Sequence, residues 1–470
     1  MRYVSTRGQA PALDFEGVLL AGLASDGGLY VPESWPQFSA AEWQAMQGLS
    51  YAEVAFRVIR PFVGGCIPDA DLQRMITEAY AAFGHKAVVP LRQTGANDWV
   101  LELFHGPTLA FKDVALQLLG RLFDWALQRS GRRATIVGAT SGDTGSAAIE
   151  GCRGRSNLDI FIMFPNGRVS DVQRRQMTTV ADANVHAIAL DGTFDDAQSM
   201  VKALFNDAAF RDSAGLTAVN SINWARVMAQ IVYYVTASLS LGGPAREMAF
   251  CVPSGNFGDI FAGYCAARMG LPIGRLIVAT NRNDILARFF ASGEYRKGGV
   301  TPTISPSMDI QVASNFERLL FDMHGRDGAQ IRSLMTDLDR AGGFSVSANA
   351  LAETKQLFAA DRADEAATRA MLKTAFAEGN GTLVDPHTAV GLVVAAAQRR
   401  NGAVAAGMPL ITLATADAAK FPDAVEAATG QHPPLPPRMA DLFDRPERQT
   451  VLPNDYAAVR DFIEKRRVKS

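Results

Sequence analysis

The feature that most constrains this chain is a repeated order of short apolar segment, polar loop and helical pattern, which begins near Val89. Three of the apolar segments are ATIVGA (134–139), AFCVPS (249–254) and RLIVAT (275–280). Segments this short and this continuously apolar, separated by helices, are typical of buried strands in a parallel sheet with both faces covered. The sequence therefore predicts an α/β fold, with ligands bound in the loops that follow the strands.

Pattern and composition divide the chain into four regions. Residues 1–92 carry helical patterns separated by loops, which predict a mostly helical N-terminal domain. The alternating pattern then predicts a smaller α/β domain over residues 93–225 and a larger one over 226–430. In the last region, 431–470, four prolines within 433–437 exclude a regular helix there. We expect this region to be an extended segment that wraps over the body and ends in a short helix.

Composition excludes several classes of protein. The chain has 46 Lys and Arg residues against 48 Asp and Glu residues, a balance that argues against a nucleic-acid partner. No apolar run approaches the roughly 20 residues that a helix needs to span a bilayer. The four cysteines form no Cys-x-x-Cys pair and have no histidine at zinc spacing, so we expect reduced thiols and no metal site. With no apolar leader pattern in the first residues, these features predict a cytoplasmic protein.

The loop HGPTLAFKD (105–113) places Lys112 at the start of an amphipathic helix. The positive end of the helix dipole disfavours a charged lysine there and favours the neutral amine. A neutral amine is the form that reacts with a carbonyl cofactor. A lone lysine is more often simply solvated, so this residue alone leaves both interpretations open.

Four further polar segments follow strands or open helices. ATSGDTG (139–145) and PSGNFGD (253–259) each lead from a strand into a helix, where free backbone N–H groups favour an anion. NSINWAR (220–226) brings an arginine to the head of a helix, an arrangement suited to a phosphate monoester. Thr415 ends the last clear strand, where its hydroxyl is available to a ring nitrogen.

Each of these segments is also compatible with an ordinary capped turn. Their combination is more specific, because it offers one reactive amine, two anion-binding loops and a hydroxyl at a strand end. The ligand that uses all of them is pyridoxal phosphate (PLP), with one loop for its phosphate and the other for an amino-acid carboxylate.

Seven segments, spread in order over nearly the whole sequence, resemble those of the threonine synthase family: YVSTRG (3–8), DGGLYVPE (26–33), HGPTLAFKD (105–113), ATSGDTG (139–145), NSINWAR (220–226), PSGNFGD (253–259) and DPHTAVG (385–391). The resemblance implies fold type II, in which two parallel-sheet α/β domains enclose a PLP cleft, with a mostly helical N-terminal domain in addition. It implies a PLP-dependent lyase that converts O-phospho-L-homoserine and water to L-threonine and phosphate, the last step of threonine biosynthesis.

The resemblance also implies residue roles. Lys112 is the lysine that forms the Schiff base with the cofactor and then removes the α proton of the substrate. Thr415 is the partner of the pyridine nitrogen. The cofactor phosphate is implied to lie in a loop formed by Ser254, Gly255, Asn256, Phe257 and Gly258. The substrate carboxylate is assigned to Thr140, Ser141, Gly142 and Thr144, and the substrate phosphate to Asn220, Ser221 and Arg226.

Two positions depart from what related enzymes show. Asp143, implied to contact the cofactor, stands where sister enzymes of the fold usually have an asparagine that reaches the phenolic oxygen. An aspartate there needs a proton or a different partner, because two anions would otherwise face each other. Residues 415–421 read TADAAKF where the family often has TAHPAKF. This second change leaves the role of Thr415 in place but alters the residues beside it.

Two other functions stay open at this stage. One is a PLP-dependent dehydratase or phospho-lyase that acts on another hydroxy- or phospho-amino acid. The other is a catalytically silent homologue that binds cofactor or phosphate as a regulatory module. Such a module would not need the reactive Lys112, so the presence of this lysine argues against it. In each enzyme interpretation we expect a small-molecule substrate, and we expect the protein to be a monomer or a homodimer.

Overall fold

The structure of the chain, a computed structural model, describes residues 1–468. The first 80 residues contain β1 (Tyr3–Ser5), α1 (Phe15–Ala21), β2 (Tyr30–Pro32), α2 (Ala40–Gln44), α3 (Tyr51–Val63) and α4 (Asp69–Tyr80). The next stretch contains β3 (Leu91–Gln93), β4 (Asp98–Glu102), α5 (Lys112–Ser130), β5 (Ala134–Ala139), α6 (Asp143–Cys152), β6 (Leu158–Pro165), α7 (Asp171–Thr178), β7 (Val185–Asp191), α8 (Phe194–Asn206), α9 (Ala208–Ala214) and β8 (Leu216–Thr217).

From residue 224 the chain forms α10 (Trp224–Ser240), β9 (Met248–Pro253), α11 (Gly258–Arg268), β10 (Ile273–Thr280), α12 (Ile285–Ser292), β11 (Glu294–Arg296), α13 (Phe316–Met323), α14 (Gly328–Ala341), β12 (Gly343–Ser345), α15 (Ala348–Thr354) and β13 (Phe358–Arg362). The last part contains α16 (Glu365–Glu378), α17 (Pro386–Arg400), β14 (Leu410–Ala414), α18 (Pro422–Thr429), β15 (Thr450–Pro453) and α19 (Tyr456–Arg466). Short 3₁₀ turns lie at 306–308, 418–420 and 437–439. Within residues 1–468 no helix has the length and apolar character needed to cross a membrane.

The first 80 residues fold as four helices and an antiparallel pair of short strands. Helix α3 begins with a capping box of Ser50 and Glu53, which satisfies free N–H groups at its start. Its buried face packs on α10, where the Trp224 ring centroid lies 5.6 Å from that of Phe62 and 5.8 Å from that of Tyr3. The predicted helical N-terminal part is therefore confirmed, and it packs directly on the α/β body.

The larger sheet has six strands in the order β13-β10-β9-β14-β4-β3. Its neighbours are parallel except for β3, which pairs antiparallel with β4 at one edge. All six residues of β9 and all five of β14 are buried, as expected for central strands covered on both faces. Helix α17 packs against both of these strands, and α11 packs against β10.

The smaller sheet has five parallel strands in the order β15-β7-β6-β5-β8. Every one of the eight residues of β6 is buried, so the continuous apolar run in the sequence marks a strand covered on both faces. The two parallel sheets confirm the predicted fold class. Loops that follow β5, β9 and β14 carry three of the five polar segments identified in the sequence.

Two strands pair outside the sheet that the predicted regions assign to them. Strand β4 falls in 93–225 yet belongs to the larger sheet, where Leu101 lies opposite Leu413 of β14. Strand β15 falls in 431–470 yet adds an edge strand to the smaller sheet, where Val451 lies opposite Ala189. The strand pattern identifies strands but carries no signal for partners so distant in sequence. The domain limits themselves stay a prediction.

Residues 415–449 connect the two sheets across one side of the molecule. Arg438 Nη2 donates to Gly106 O at 3.0 Å, and Arg175 Nη1 donates to Phe443 O at 2.7 Å. The segment follows an extended path without regular helix over residues 431–436, as the prolines predict. It then ends in β15 and α19, so this region is part of the smaller sheet as well as a covering segment.

Candidate active site

Lys112 begins α5, and its side chain is buried beside Asp143, the first residue of α6. The residue is 8% exposed, and its Nζ lies 3.5 Å from Asp143 Oδ2 and 4.8 Å from the centre of the Phe111 ring. Burial lowers the pKa of the amine, and the positive charges of Lys420 and Arg226 lower it further against the attraction of Asp143. The pKa of the amine therefore shifts in the direction predicted from the helix position, and the main cause is burial.

Asp143 begins α6, and each of its two carboxylate oxygens lies near a lysine ammonium group. Oδ1 lies 3.0 Å from Lys420 Nζ and accepts a hydrogen bond from Gln173 Nε2 at 3.0 Å, while Oδ2 accepts one from Ser307 Oγ at 3.4 Å. Burial by itself raises the pKa of this carboxyl, but Lys420 and Lys112 outweigh it and hold the pKa well below its usual range. Of the two options left by the sequence, a proton or a different partner, the structure favours the different partner.

The loop before α6 is shaped by one threonine. The Thr140 hydroxyl oxygen accepts hydrogen bonds from the backbone N–H of Gly142 at 3.0 Å and of Gly145 at 2.9 Å. Thr140 is therefore buried inside the turn, whereas Ser141 is exposed and Thr144 is half-buried. The side chains that the turn leaves accessible to a ligand are those of Ser141 and Thr144.

The loop of residues 254–258 lies between β9 and α11 and is tightly packed. Phe257 adopts the left-handed conformation at φ 63° and places its ring 5.2 Å from that of Phe316. A Cβ on Gly255 would lie 2.8 Å from Ser307 O, so only glycine fits here without displacing that chain. Ser254 donates through Oγ to Val252 O at 2.9 Å, and Asn256 O accepts from a neighbouring backbone N–H. The loop thus presents the first N–H groups of α11 on a rigid support.

The segment of residues 220–226 lies beside that loop. Asn315 joins the two, because its Nδ2 donates to Ser221 O at 3.1 Å and its backbone N–H donates to Asn256 O at 3.0 Å. Asn220 shapes the turn by accepting from a backbone N–H through Oδ1 at 3.3 Å. Arg226 follows in the first turn of α10.

Arg226 is 4% exposed, and among residues 1–468 its Nη1 has no hydrogen-bond partner. Burial lowers the pKa of its guanidinium to about 10. An arginine is a strong base that stays charged even so, and a buried cation without a counter-ion is costly. The unpaired guanidinium therefore indicates a site for an anion.

Thr415 lies next to the lysine through a short antiparallel bridge. Phe111 donates its N–H to Thr415 O at 2.8 Å, and Asp417 donates its N–H to Leu109 O at 3.0 Å. Thr415 is 6% exposed. The bridge brings the end of β14 to the start of α5, as the combined site predicted from the sequence requires.

Four residues at this site were not identified from the sequence: Asn315, Ser307, His387 and Lys420. His387 accepts from the Ser307 N–H through Nε2 at 3.2 Å, so its proton lies on Nδ1, 2.8 Å from Asp385 Oδ1. His387 lies in DPHTAVG (385–391), a segment that contributed to the family resemblance but gave this histidine no role. Ser307 and Asn315 lie in irregular chain, where no local pattern distinguishes them.

The assembled residues fit PLP. Lys112 supplies the amine, the Gly255 loop supplies a rigid turn with free N–H groups, and Arg226 supplies a charge that lacks a counter-ion. The sequence comparisons agree with this geometry. A family model described as "Pyridoxal-phosphate dependent enzyme" matches residues 87–352, and the chain is thus a pyridoxal-phosphate-dependent enzyme.

Further comparisons narrow the class. Family models described as "Threonine synthase N terminus" and "Threonine synthase, C-terminal" match residues 2–80 and 388–463. A threonine synthase of Pseudomonas aeruginosa is 58% identical over 464 residues, which cover 98% of each chain. The chain belongs to the threonine synthase family, as its sequence predicted.

Solved structures are similar over the same length. The crystal structure of a PLP-bound threonine synthase from Brucella melitensis has a TM-score of 0.97 and 56% identity, with 99% of each chain covered. The threonine synthase from yeast has a TM-score of 0.93 and 39% identity, covering 99% of this chain and 98% of its own. Fold, family and cofactor predicted from the sequence are therefore confirmed.

Proposed function

We propose that this chain is a lyase that converts O-phospho-L-homoserine and water to L-threonine and phosphate. The observation that carries the proposal is the buried guanidinium of Arg226, whose Nη1 has no partner among the described residues, in the same site as the amine of Lys112. This substrate has two anionic groups, a carboxylate and a phosphate, besides the phosphate of the cofactor. Membership of the threonine synthase family supports the same reaction.

The cofactor would be held by the loop of residues 254–258 and by Lys112. The backbone N–H groups at the start of α11 receive its phosphate, and the Thr415 hydroxyl lies at the end of β14 for its ring nitrogen. Asp143 lies 3.5 Å from the lysine and contributes a fixed negative charge beside it. When bound, PLP supplies an electron-withdrawing ring that stabilises negative charge on the substrate carbons.

With PLP bound, the Lys112 amine would be the general base that accepts the α proton of the substrate. The lowered pKa of its buried amine increases the unprotonated fraction at neutral pH, which is the form that accepts the α proton. Its position 3.5 Å from Asp143 keeps the amine within the site while its protonation changes. A solvated lysine would remain protonated and be ineffective in this role.

The two anionic groups of the substrate have separate partners. The loop of Thr140, Ser141, Gly142 and Thr144 at the start of α6 receives the carboxylate. Asn220, Ser221 and Arg226 receive the phosphate, and the guanidinium neutralises it as it departs from the γ carbon. A dehydratase substrate carries no phosphate and would leave Arg226 unpaired, so the phosphorylated substrate fits better.

The test is product formation from O-phospho-L-homoserine by the purified holoenzyme and by Lys112→Ala. We expect the wild type to form threonine and phosphate in equal amounts. In the variant we expect turnover to fall by at least about 10²-fold and the visible absorbance of the cofactor to disappear. The exposed-lysine variant Lys373→Met serves as control and should match the wild type. Undiminished turnover by Lys112→Ala would refute the assignment of the lysine.

The same assay separates the alternative functions. A 2-oxo acid, ammonia and phosphate as products would indicate a phospho-lyase, and a 2-oxo acid and ammonia from a hydroxy-amino acid in a parallel assay would indicate a dehydratase. A wild-type protein that binds PLP but forms no product would indicate the silent homologue. We also infer a cytoplasmic location, which the free thiols of Cys66, Cys152, Cys251 and Cys265 support. Light scattering of the holoenzyme tests the expected monomer or homodimer.

A further inference from the structure

Lys420 is a buried lysine with no role in the reaction outlined above. It lies in the 3₁₀ turn at 418–420 that follows β14, and its side chain is 0% exposed. Its Nζ lies 2.7 Å from Thr108 O, 2.9 Å from Gln176 Oε1 and 3.0 Å from Asp143 Oδ1. Two of the three ammonium N–H donors form hydrogen bonds, to Thr108 and Gln176, and the Asp143 contact is an ion pair. The Lys420 side chain is therefore held in place by the protein.

The Asp143 carboxylate lies between Lys420 and Lys112. One oxygen is 3.0 Å from Lys420 Nζ, and the other is 3.5 Å from Lys112 Nζ. All three side chains are buried, so the interactions among them are only weakly screened by solvent. The carboxylate shared with Lys420 attracts a proton on Lys112 less strongly than an unshared one would, and Lys420 itself repels that proton.

We propose that Lys420 is a positioning residue of the active site: its charge, held beside Asp143, opposes protonation of the Lys112 amine, which that carboxylate favours. This inference rests on the proposed role of Lys112 in the reaction. Lys420 would thus affect the charge balance of the site without contacting the Lys112 amine. In the roles proposed above it does not contact the substrate either.

A purely structural role is the competing account. The hydrogen bonds of Lys420 also tie the loop before α5 to α7, because Thr108 O belongs to that loop and Gln176 belongs to that helix. On this account the contacts would hold the loop in place, and the charge would have no effect on Lys112. The two accounts differ in one measurable quantity, the pH at which Lys112 loses its proton.

The experiment compares the wild type with Lys420→Met, which removes the charge, and Lys420→Arg, which keeps it. The full-length protein, freed of cofactor, is acetylated with acetic anhydride over a pH series, and modification of Lys112 is quantified by mass spectrometry. The exposed Lys373 of α16 serves as the reference in each sample. We expect Lys420→Met to raise the midpoint for Lys112 by about one pH unit and Lys420→Arg to leave it near the wild-type value.

A second readout uses the holoenzyme. The pH at which the visible absorbance of the bound cofactor changes should move upward in Lys420→Met and not in Lys420→Arg. If Lys112 does not hold the cofactor, this absorbance readout fails in the wild type too, whereas acetylation still tests Lys420. A Lys420→Met protein with a native near-ultraviolet circular dichroism spectrum and an unchanged Lys112 midpoint would overturn the proposal.

A further pair of variants covers the case in which Lys420→Met does not fold, since it leaves Asp143 with one partner fewer. Asp143→Asn alone leaves Lys420 as an unshared charge, while the double variant Asp143→Asn/Lys420→Met removes both charges from the interior. The proposal requires a higher Lys112 midpoint in the double variant than in Asp143→Asn. Equal midpoints in these two proteins would contradict it.

Discussion

Four charged side chains give the proposed site its electrostatic character. Lys112, Lys420 and Arg226 are buried cations, and Asp143 is the carboxylate that contacts two of them. The local excess of positive charge contrasts with the net charge of −2 for the whole chain. This local excess would attract the phosphates and the carboxylate proposed for the site, so their binding does not require a basic protein.

Arg226 offers a direct test of this balance. Replacement by Met removes an unpaired buried charge, so we expect the apoprotein of Arg226→Met to melt at a higher temperature than the wild type. The same change removes the guanidinium proposed for the substrate phosphate. We expect the KM for O-phospho-L-homoserine to rise about tenfold or more, with a smaller change in the Kd for PLP. Scanning calorimetry, kinetics and a cofactor titration provide the three values.

Two results would count against this account of Arg226. Equal weakening of cofactor and substrate binding would place the guanidinium on the cofactor phosphate instead. A lower melting temperature of the apoprotein would show that Arg226 is paired in solution. Arg129→Met, at a side chain that is 58% exposed, controls for the loss of an arginine as such.

Asp259 gives a prediction about pH. Its Oδ1 accepts hydrogen bonds from Tyr233 at 2.5 Å and Tyr234 at 2.9 Å, and its Oδ2 has no partner among the described residues. Burial raises the pKa of this carboxyl to about 6, against the opposing effects of the two tyrosines and Lys112. A carboxyl with a raised folded-state pKa stabilises the protein fully below its unfolded pKa of about 4, and that stability is lost as the pH rises through about 6.

Asp259→Asn keeps Oδ1 for both tyrosines and cannot ionise. We expect its stability relative to the wild type to increase by about 1.3 kcal/mol between pH 5 and pH 7.5, because only the wild type must bury a charge at the higher pH. Unfolding of the two apoproteins in urea over this range measures the difference. A difference that stays constant with pH would mean that Asp259 does not titrate near 6.

At this scale, the role of a residue could be predicted where the local sequence gives that residue a distinctive position. It could not be predicted where the role depends on neighbours that are distant in the sequence. Lys112 was identifiable because it begins a helix after a Gly-Pro turn. Lys420 was not, because its partners Thr108 and Asp143 are remote in the sequence. The placement of each proposed ligand-binding residue remains a prediction, although the structure brings them into one site.

At the scale of elements, the site depends on where α5 and α6 begin. Lys112 is the first residue of α5, and Asp143 is the first residue of α6. The two helices cross at Gly120, where a Cβ would lie 1.9 Å from Gly151 O. The close crossing therefore fixes the spacing between the two charged residues at the ends of these helices.

Gly120→Ala tests this spacing. Helix propensity alone would favour alanine by about 1 kcal/mol, but a carbon atom cannot occupy a position so close to a backbone oxygen. We expect the steric overlap of the new Cβ with Gly151 O to outweigh the gain in helix propensity and to push the helices apart. The free energy of unfolding should fall by about 1–3 kcal/mol, and kcat should be lower. Gly407→Ala is the control, because a Cβ there meets nothing within 4 Å. A stabilised, fully active Gly120→Ala would disprove the role of the crossing.

The apolar strand pattern predicted the type of most elements but not their partners. It identified β5, β9, β10 and β14 as buried strands because they are short and continuously apolar. It did not place β4 in the larger sheet or β15 in the smaller one, since pairing with β14 and β7 depends on chain topology. Prolines predicted the extended path near 433–437 but gave no indication of the edge strand that follows it.

At the scale of the whole molecule, the chain connects the two sheets more than once. The loops after β5 and β9 face each other across the site, and Ser307 contacts Asp143 on one side and lies against Gly255 on the other. The segment after β14 then carries Lys420 to the start of α6 before it adds β15 to the smaller sheet. The charged groups of the site are thus held by residues from both sheets.

The central claim is that water is added to the β carbon of the substrate while phosphate leaves from the γ carbon. The most direct measurement is the reaction of the holoenzyme with O-phospho-L-homoserine in ¹⁸O-labelled water, followed by mass spectrometry of both products. The account predicts one ¹⁸O atom in the hydroxyl of threonine and none in the phosphate, because the carbon–oxygen bond breaks. Labelled phosphate together with homoserine would show attack of water at phosphorus, and would contradict the proposed reaction.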